Sequence, residues 1–348
     1  MYEPDVEQNR SEGDATGPAQ TGPGGPGSPA RPRTSSKALI LLLVYVLGLT
    51  TGYLFWGRAP IAPLATGSRA SASTLAQDAP PQEPAAPAGQ VSPAGQVALP
   101  DGYSIPVSFG DAGPRLLEAG AINYDAFVQV YQQAGQPLSQ AQLKILTEGS
   151  DAPITIDRDN AYFLLNFFWA LGLTNENPIL KEGLMVEKSQ GEIGRYASTG
   201  GWTIGAQSPA ALYASAPILQ LTPEQQARLE EVAEAVYRPC CDNHTAFPDC
   251  NHGMAMLGLL ELMASQDAGA DEMFEAAKYA NAFWFPQQTQ EMAVFFKATK
   301  GLDFEEVDAR ELVGREVSSG SGFQAIHEWL SQKGLLEQGP GRGNSCGV

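Results

Sequence analysis

Apolar residues recur at helical spacing through most of the chain after residue 120. Tyr124, Phe127 and Tyr131 are separated by three and four residues, which places them on one face of a helix. Ser139, followed three residues later by Gln142, has the spacing of a capping box and starts a second short helix. The pattern predicts a helical hairpin in this part of the chain.

Two stretches are apolar on almost every side, which is typical of helices in the centre of a fold. The first, AYFLLNFFWALG, follows Asn160 and is predicted to end at Gly172. The second, GMAMLGLLELMAS, covers residues 253–265 and has Glu261 as its charged residue. Together they predict a core made of helices.

Further helices are predicted on both sides of the second stretch. Thr222, Pro223 and Gln225 form a strong helix start, because threonine caps the helix and proline suits its first position. The acidic pair Asp271-Glu272 favours the start of another helix through the helix macrodipole. The same periodicity predicts two more helices, over residues 288–299 and 321–334.

Strand signals are weaker than helix signals. Tyr103–Phe109 is predicted to form a short strand, which its internal Pro106 restricts to the edge of a sheet. Residues 182–206 are glycine-rich and less periodic, so we expect an irregular surface segment with short strands at most. Residues 101–340 are therefore predicted to form one mainly helical domain with minor β structure.

An uncharged apolar segment, ALILLLVYVLGLTTGYLFW, occupies residues 38–56 between Lys37 and Arg58. About 20 apolar residues are needed to cross a membrane, so this segment is predicted to be an uncleaved signal anchor. A buried core helix and a cleaved signal peptide are the alternatives. More Lys and Arg residues precede the segment than follow it, which favours a cytoplasmic N-terminus and an extracytoplasmic C-terminal domain.

The regions that flank these segments have low complexity. Residues 1–37 are predicted to be a disordered cytoplasmic tail, residues 57–100 a Pro/Ala-rich disordered linker, and residues 341–348 a flexible tail. The predicted fold class is mainly α, with a single-pass transmembrane helix plus one extracytoplasmic helical domain with minor β. The predicted location is the cell membrane.

The chain is strongly acidic, with 21 Lys and Arg against 39 Asp and Glu and a net charge of −18 at pH 7. Because most of this charge follows residue 100, the domain would repel a phosphate backbone, which excludes nucleic acid as a partner. Metal ions or cationic partners suit it better, and no particular protein partner is indicated. A phosphate loop, a Gly-x-Ser-x-Gly motif and a haem attachment motif are all absent from the sequence. We expect a protein that is not an enzyme, with a thiol-disulfide oxidoreductase as the alternative.

Three of the four cysteines and two of the three histidines lie between Arg238 and Met256. Pro239 is predicted to end the preceding helix, so this cluster lies in a loop between two helices. Thiolate, imidazole and thioether donors favour a soft transition metal ion, copper or zinc. The predicted ligands are Cys240, Cys241, His244, Cys250, His252 and Met254.

The cluster allows three functions. The first is binding of the metal ion for storage, delivery or sensing. The second is thiol-disulfide exchange, in which Cys241 or Cys250 attacks a substrate disulfide and a neighbouring cysteine resolves the product. The third is a non-catalytic scaffold with a structural disulfide such as Cys241 to Cys250, which leaves Cys240 and Cys346 to pair or remain free.

The stretch from Cys240 to Phe285 resembles the cysteine-bearing helical hairpin of CcmH-type cytochrome c maturation proteins. A cysteine loop leads into an apolar helix, a glycine-containing turn and a helix that opens at Asp271-Glu272. The resemblance implies an anchored extracytoplasmic protein that handles apocytochrome thiols, although adjacent Cys240 and Cys241 replace that family's Cys-x-x-Cys motif. The cluster also resembles the Cys/His runs of PCYCGC-motif lipoproteins, which implies metal binding.

Overall fold

The two apolar helices that the sequence places at the centre of the fold pack directly on each other. The structure is a computed structural model that describes residues 97–336. The first central helix, α4, spans Ala161–Thr174 and the second, α10, spans Asn251–Ser265. Because nearly all of their residues are buried, the two helices form the middle of one hydrophobic core.

The described residues are mainly helical, with one two-stranded sheet. The segment before α4 contains β1 (Gly102–Gly110), α1 (Ala112–Glu118), α2 (Tyr124–Gln133), α3 (Gln140–Thr147) and β2 (Ser150–Asp157). Four short helices follow α4: α5 (Pro178–Lys181), α6 (Leu184–Ser189), α7 (Ala197–Gly200) and α8 (Pro209–Leu212). The remaining helices are α9 (Pro223–Ala235), α10, α11 (Ala270–Trp284), α12 (Pro286–Lys300), α13 (Ala309–Val313), α14 (Arg315–Ser318) and α15 (Gly320–Lys333). Single 3₁₀ turns occur at Ile193–Arg195 and Phe304–Glu306.

The crossing of α4 and α10 is close because each helix presents a glycine to the other. A Cβ atom on Gly172 would lie 2.1 Å from the carbonyl oxygen of Met254. A Cβ atom on Gly258 would lie 2.2 Å from the carbonyl oxygen of Phe168. The prediction that Gly172 ends the first helix is wrong, since α4 continues to Thr174 and the glycine serves helix packing instead.

Replacing Gly258 by alanine is expected to lower the free energy of unfolding by about 1–2 kcal/mol. The added methyl group must push α4 and α10 apart, and this strain outweighs the roughly 1 kcal/mol that alanine gains in helix propensity. The midpoint of urea unfolding measures the change. Gly194→Ala is the control, because this residue is exposed and a Cβ atom there meets nothing within 4 Å. Equal stability of the two variants would contradict the close crossing.

The sheet pairs β1 with β2 in antiparallel register, with Ile105 opposite Ile154. The register shifts between Ile105 and Ser108, where Pro106 cannot donate a backbone hydrogen bond. The predicted edge strand Tyr103–Phe109 is confirmed as part of β1. Its partner β2 was not predicted, because its apolar residues alternate only at its C-terminal end.

The predicted helix starts agree well with the structure. Ser139 and Thr222 both form capping boxes, in which the side chain accepts from the backbone N–H of Gln142 and Gln225, respectively. The acidic pair that begins at Asp271 lies in the first turn of α11. The helices predicted over residues 288–299 and 321–334 correspond to α12 and α15.

The expectation that residues 182–206 form an irregular surface segment is only partly right, since most of them are exposed or half-buried but five are buried. The segment contains α6 and α7, and its residues Ser198, Thr199 and Trp202 are almost completely buried. The carbonyl oxygen of Ser198 accepts a 2.6 Å hydrogen bond from the Trp169 indole on α4. The segment therefore packs against the central helix, a contact that its low periodicity could not indicate.

The predicted fold class needs a correction, because it included a transmembrane helix. None of the helices within residues 97–336 combines the length and the apolar character that crossing a membrane requires. The apolar helices α4 and α10 have only 14 and 15 residues, whereas a span needs about 20. The two predicted tails, residues 1–37 and 341–348, lie outside the described residues. The segment 38–56 and most of the predicted linker also lie outside them.

Candidate metal centre

The cysteine loop connects α9 to α10 and is held against the C-terminal end of α9 by hydrogen bonds. The backbone N–H and the hydroxyl of Thr245 both donate to the carbonyl oxygen of Val236, at 2.9 and 3.0 Å. The N–H of Ala246 donates to the carbonyl oxygen of Ala233 on α9. These bonds fold the loop back onto the helix that precedes it.

A second set of hydrogen bonds ties the loop to the start of α15. The N–H of Gly320 donates to the carbonyl oxygen of Cys241 at 2.8 Å. The N–H of Ser321 donates to a carboxylate oxygen of Asp242 at 2.7 Å. The cysteine backbone is therefore positioned by contacts that do not involve the sulfur atoms.

Three sulfur atoms converge in this loop. The Sγ atoms of Cys240, Cys241 and Cys250 all lie within 4.8 Å of one another, and those of Cys240 and Cys250 are 3.6 Å apart. Two sulfur ligands at about 2.3 Å from one tetrahedral ion would be about 3.8 Å apart. The three cysteines are therefore close enough to bind one metal ion.

Arg238 holds this arrangement together from inside the protein, with a side chain that is only 1% exposed. Its Nε donates to the sulfur of Cys250 at 3.1 Å. Its other nitrogens donate to the carbonyl oxygens of Asn243 and Phe247 and, at 2.9 Å, to the Asp249 carboxylate. One guanidinium thus connects the beginning, the middle and the end of the loop.

Cys250 is also the N-cap of α10, since its sulfur accepts from the backbone N–H of Gly253 at 3.4 Å. Glycine is required three residues after this cap because a Cβ atom there would lie 2.4 Å from an Arg238 nitrogen. The backbone N–H of Gly253 and the guanidinium of Arg238 therefore both donate to the sulfur of Cys250.

The thiols of Cys240, Cys241 and Cys250 differ in pKa. Hydrogen bonds from the Cys240 and Cys241 thiols, with the Arg238 guanidinium, hold the pKa of Cys250 well below its usual value of 9.0, although burial opposes this. Hydrogen bonding to Cys241 and Cys250 raises the pKa of Cys240. A hydrogen bond with Cys240 lowers the pKa of Cys241. A hydrogen bond with Cys250 and burial both oppose this effect, and together they raise the pKa of Cys241 to about 11. Of the three sulfurs, that of Cys250 therefore most favours the thiolate form.

The other predicted ligands do not join the sulfur group. Within the described residues, the mutually close donor atoms belong to the three cysteines, and neither His244 nor His252 contributes to them. The His252 ring lies 4.4 Å from the Phe285 ring, and His244 faces Tyr237. Burial lowers the pKa of both histidines. Their role as ligands stays a prediction.

Met254 lies in the hydrophobic core. Its side chain is fully buried on α10, in the turn that packs against Gly172. Such a position suits a flexible apolar side chain that fills space between helices. Thioether ligation by Met254 stays a prediction.

The structural-disulfide alternative named Cys241 and Cys250 as the bonded pair. In the structure Cys240, Cys241 and Cys250 are free thiols. The Sγ atoms of Cys240 and Cys250 are 3.6 Å apart, which is a contact between thiols and not a bond. Cys346 lies outside the described residues.

Arg238 is the residue of the site that sequence reasoning missed. The sequence analysis used Arg238 only as the N-terminal boundary of the cysteine cluster. In the structure, Arg238 is the central hydrogen-bond donor of the loop. Its position two residues before Cys240 was the available signal, because a cation beside a cysteine cluster favours thiolates. The burial of its charge depends on Asp249, which became apparent only in the folded loop.

No family model matches the chain, and neither a curated protein nor a solved structure is significantly similar to it. The resemblance to CcmH-type and PCYCGC-motif proteins therefore stays an expectation.

Proposed function

We propose that this protein binds a soft transition metal ion, copper or zinc, through Cys240, Cys241 and Cys250, and stores, delivers or senses it. The convergence of the three sulfur atoms within 4.8 Å carries the proposal. Thiolate sulfur is the donor that Cu(I) and Zn(II) prefer, whereas Mg²⁺ and Ca²⁺ prefer oxygen.

The electrostatics of the loop support a metal ion with a charge of one or two. Three thiolates carry three negative charges, and the guanidinium of Arg238 beside Cys250 offsets one of them. A monovalent or divalent cation brings the site closer to neutrality, which favours its binding in a partly buried position. The same donors would repel a bound anion.

A ligand substitution provides the test. Full-length protein is reduced without oxygen, incubated with Zn²⁺ or Cu⁺, desalted and analysed for metal by mass spectrometry. The wild-type protein is expected to retain one equivalent. Cys250→Ser is expected to weaken the affinity by about 100-fold or more, because loss of an outer-sphere group alone typically costs 10- to 100-fold.

Cys346→Ser is the matched control, because it removes the fourth cysteine of the sequence, which is not one of the three proposed ligands. This variant is expected to retain the metal as the wild type does. Wild-type protein without metal, or Cys250→Ser protein with full affinity, would contradict the proposal.

A further inference from the structure

Two of the three sulfur atoms are positioned to bond to each other. The Sγ atoms of Cys240 and Cys250 are 3.6 Å apart. A disulfide bond is about 2.05 Å long, so closure requires the sulfurs to approach by about 1.5 Å. The two sulfurs therefore need only a short approach to form the bond.

Cys241 is a poorer partner for Cys240 although the two are adjacent. Neighbouring Cα atoms are about 3.8 Å apart, whereas ordinary disulfides span about 4.4–6.8 Å between Cα atoms. A bond between them would therefore distort the chain. Oxidation of the loop should join Cys240 to Cys250 and leave Cys241 as a thiol.

Cys250 is the better nucleophile of the pair. Its sulfur accepts hydrogen bonds from Nε of Arg238 and from the N–H of Gly253, and both donors favour the thiolate form. Because Cys240 is partly exposed, a small disulfide in solution has a route to the pair.

The loop can be oxidised without unfolding because its anchors are independent of sulfur. Thr245 remains bonded to Val236, and Asp242 remains bonded to Ser321. Arg238 keeps its ion pair with Asp249 when Cys250 loses its negative charge. The change is therefore confined to the sulfur atoms.

We propose that oxidation of Cys240 and Cys250 to a disulfide by a small-molecule disulfide ejects the metal ion from the site. This inference rests on the proposed metal binding. The Cys250 thiolate attacks one sulfur of the small disulfide and expels one thiolate. Cys240 then attacks the Cys250 sulfur of this mixed disulfide and expels the second thiolate.

The exchange balances because two electrons pass from the cysteine pair to the small disulfide, which becomes two thiols with protons from the solvent. The metal ion loses two of its three sulfur ligands and leaves. Reduction of the cysteine pair restores the site. Binding is thereby linked to the balance of thiols and disulfides around the protein.

The test uses full-length protein with Cys346→Ser, so that the fourth cysteine cannot pair. The reduced protein is loaded with Zn²⁺ and treated with oxidised glutathione. A chromophoric zinc indicator, a thiol count and peptide mapping are read together. We expect zinc release in step with the loss of two thiols, a linked Cys240–Cys250 peptide, and rebinding of zinc after reduction.

Two variants separate the steps. Cys241→Ser keeps the redox pair and is expected to form the same linked peptide although it binds zinc more weakly. Cys240→Ser lacks the resolving thiol and is expected to stop at a glutathione adduct on Cys250.

Zinc that stays bound during oxidation, or a disulfide that tandem mass spectrometry assigns to Cys241 instead of Cys240, would overturn the redox proposal alone. Reduced protein that takes up neither Zn²⁺ nor Cu⁺ would overturn the metal function and this inference with it.

Discussion

Replacing Arg238 by methionine is expected to lower the free energy of unfolding by about 3–5 kcal/mol, the range typical for loss of one partner from a buried ion pair. Methionine fills much of the space but provides no donor. The carboxylate of Asp249 loses its cation, and the carbonyl oxygens of Asn243 and Phe247 lose their hydrogen bonds. Chemical unfolding followed by circular dichroism measures the loss.

Arg310→Met is the matched control, because it removes the same group from the surface. Arg310 pairs with Asp271 and Glu231, but its side chain is 45% exposed. Exposed pairs contribute about 0–1 kcal/mol, so this variant is expected to lose no more than that. If both arginine variants were destabilised equally, Arg238 would not be the structural centre of the loop.

Arg238→Lys distinguishes the charge from the geometry. Lysine keeps a cation, but a single ammonium group cannot reach the sulfur of Cys250, the Asp249 carboxylate and the two carbonyl oxygens together. We therefore expect most of the stability loss to remain. Full recovery of stability in Arg238→Lys would show that charge alone is sufficient.

The parts of the fold that the sequence predicts well depend on neighbouring residues. The capping boxes at Ser139 and Thr222 need only a partner three residues away, so both helix starts are readable from the chain. The pairing of β1 with β2 depends on residues such as Ile105 and Ile154, which are far apart in sequence. Gly172 was misread for the same reason, since its role depends on Met254 in a distant helix.

In the candidate site too, features that depend on neighbouring residues were predicted and features that depend on distant residues were not. Cys240, Cys241 and Cys250 lie close together in sequence, and their convergence followed from that clustering. The direction of a side chain depends on what packs around it. The ring of His252 lies against Phe285, which is 33 residues away in sequence. The spacing of His252 from the cysteines made it a ligand candidate but could not predict this contact.

The same helix that begins at the cysteine loop carries an unusual acid in the core. Glu261 is completely buried, and neither of its carboxylate oxygens has a hydrogen-bond partner within the described residues. Burial raises the pKa of Glu261 well above 4.5, and the nearby amides of Asn175 and Asn177 offset only part of this effect. Burial in the folded protein therefore favours the neutral form of this carboxyl group.

Replacing Glu261 by glutamine is expected to stabilise the protein by an amount that grows with pH. Above about pH 4.3 the unfolded chain releases the proton that the folded protein keeps, so wild-type stability falls by about 1.4 kcal/mol per pH unit until the folded pKa is reached. Glutamine does not titrate and escapes this loss. The difference in Tm between Glu261→Gln and wild type should therefore widen as the pH rises from about 5 to the folded pKa of Glu261. Glu118→Gln is the control, because this exposed side chain is in water in both states. A constant Tm difference across that interval would show that Glu261 is not held neutral in the core.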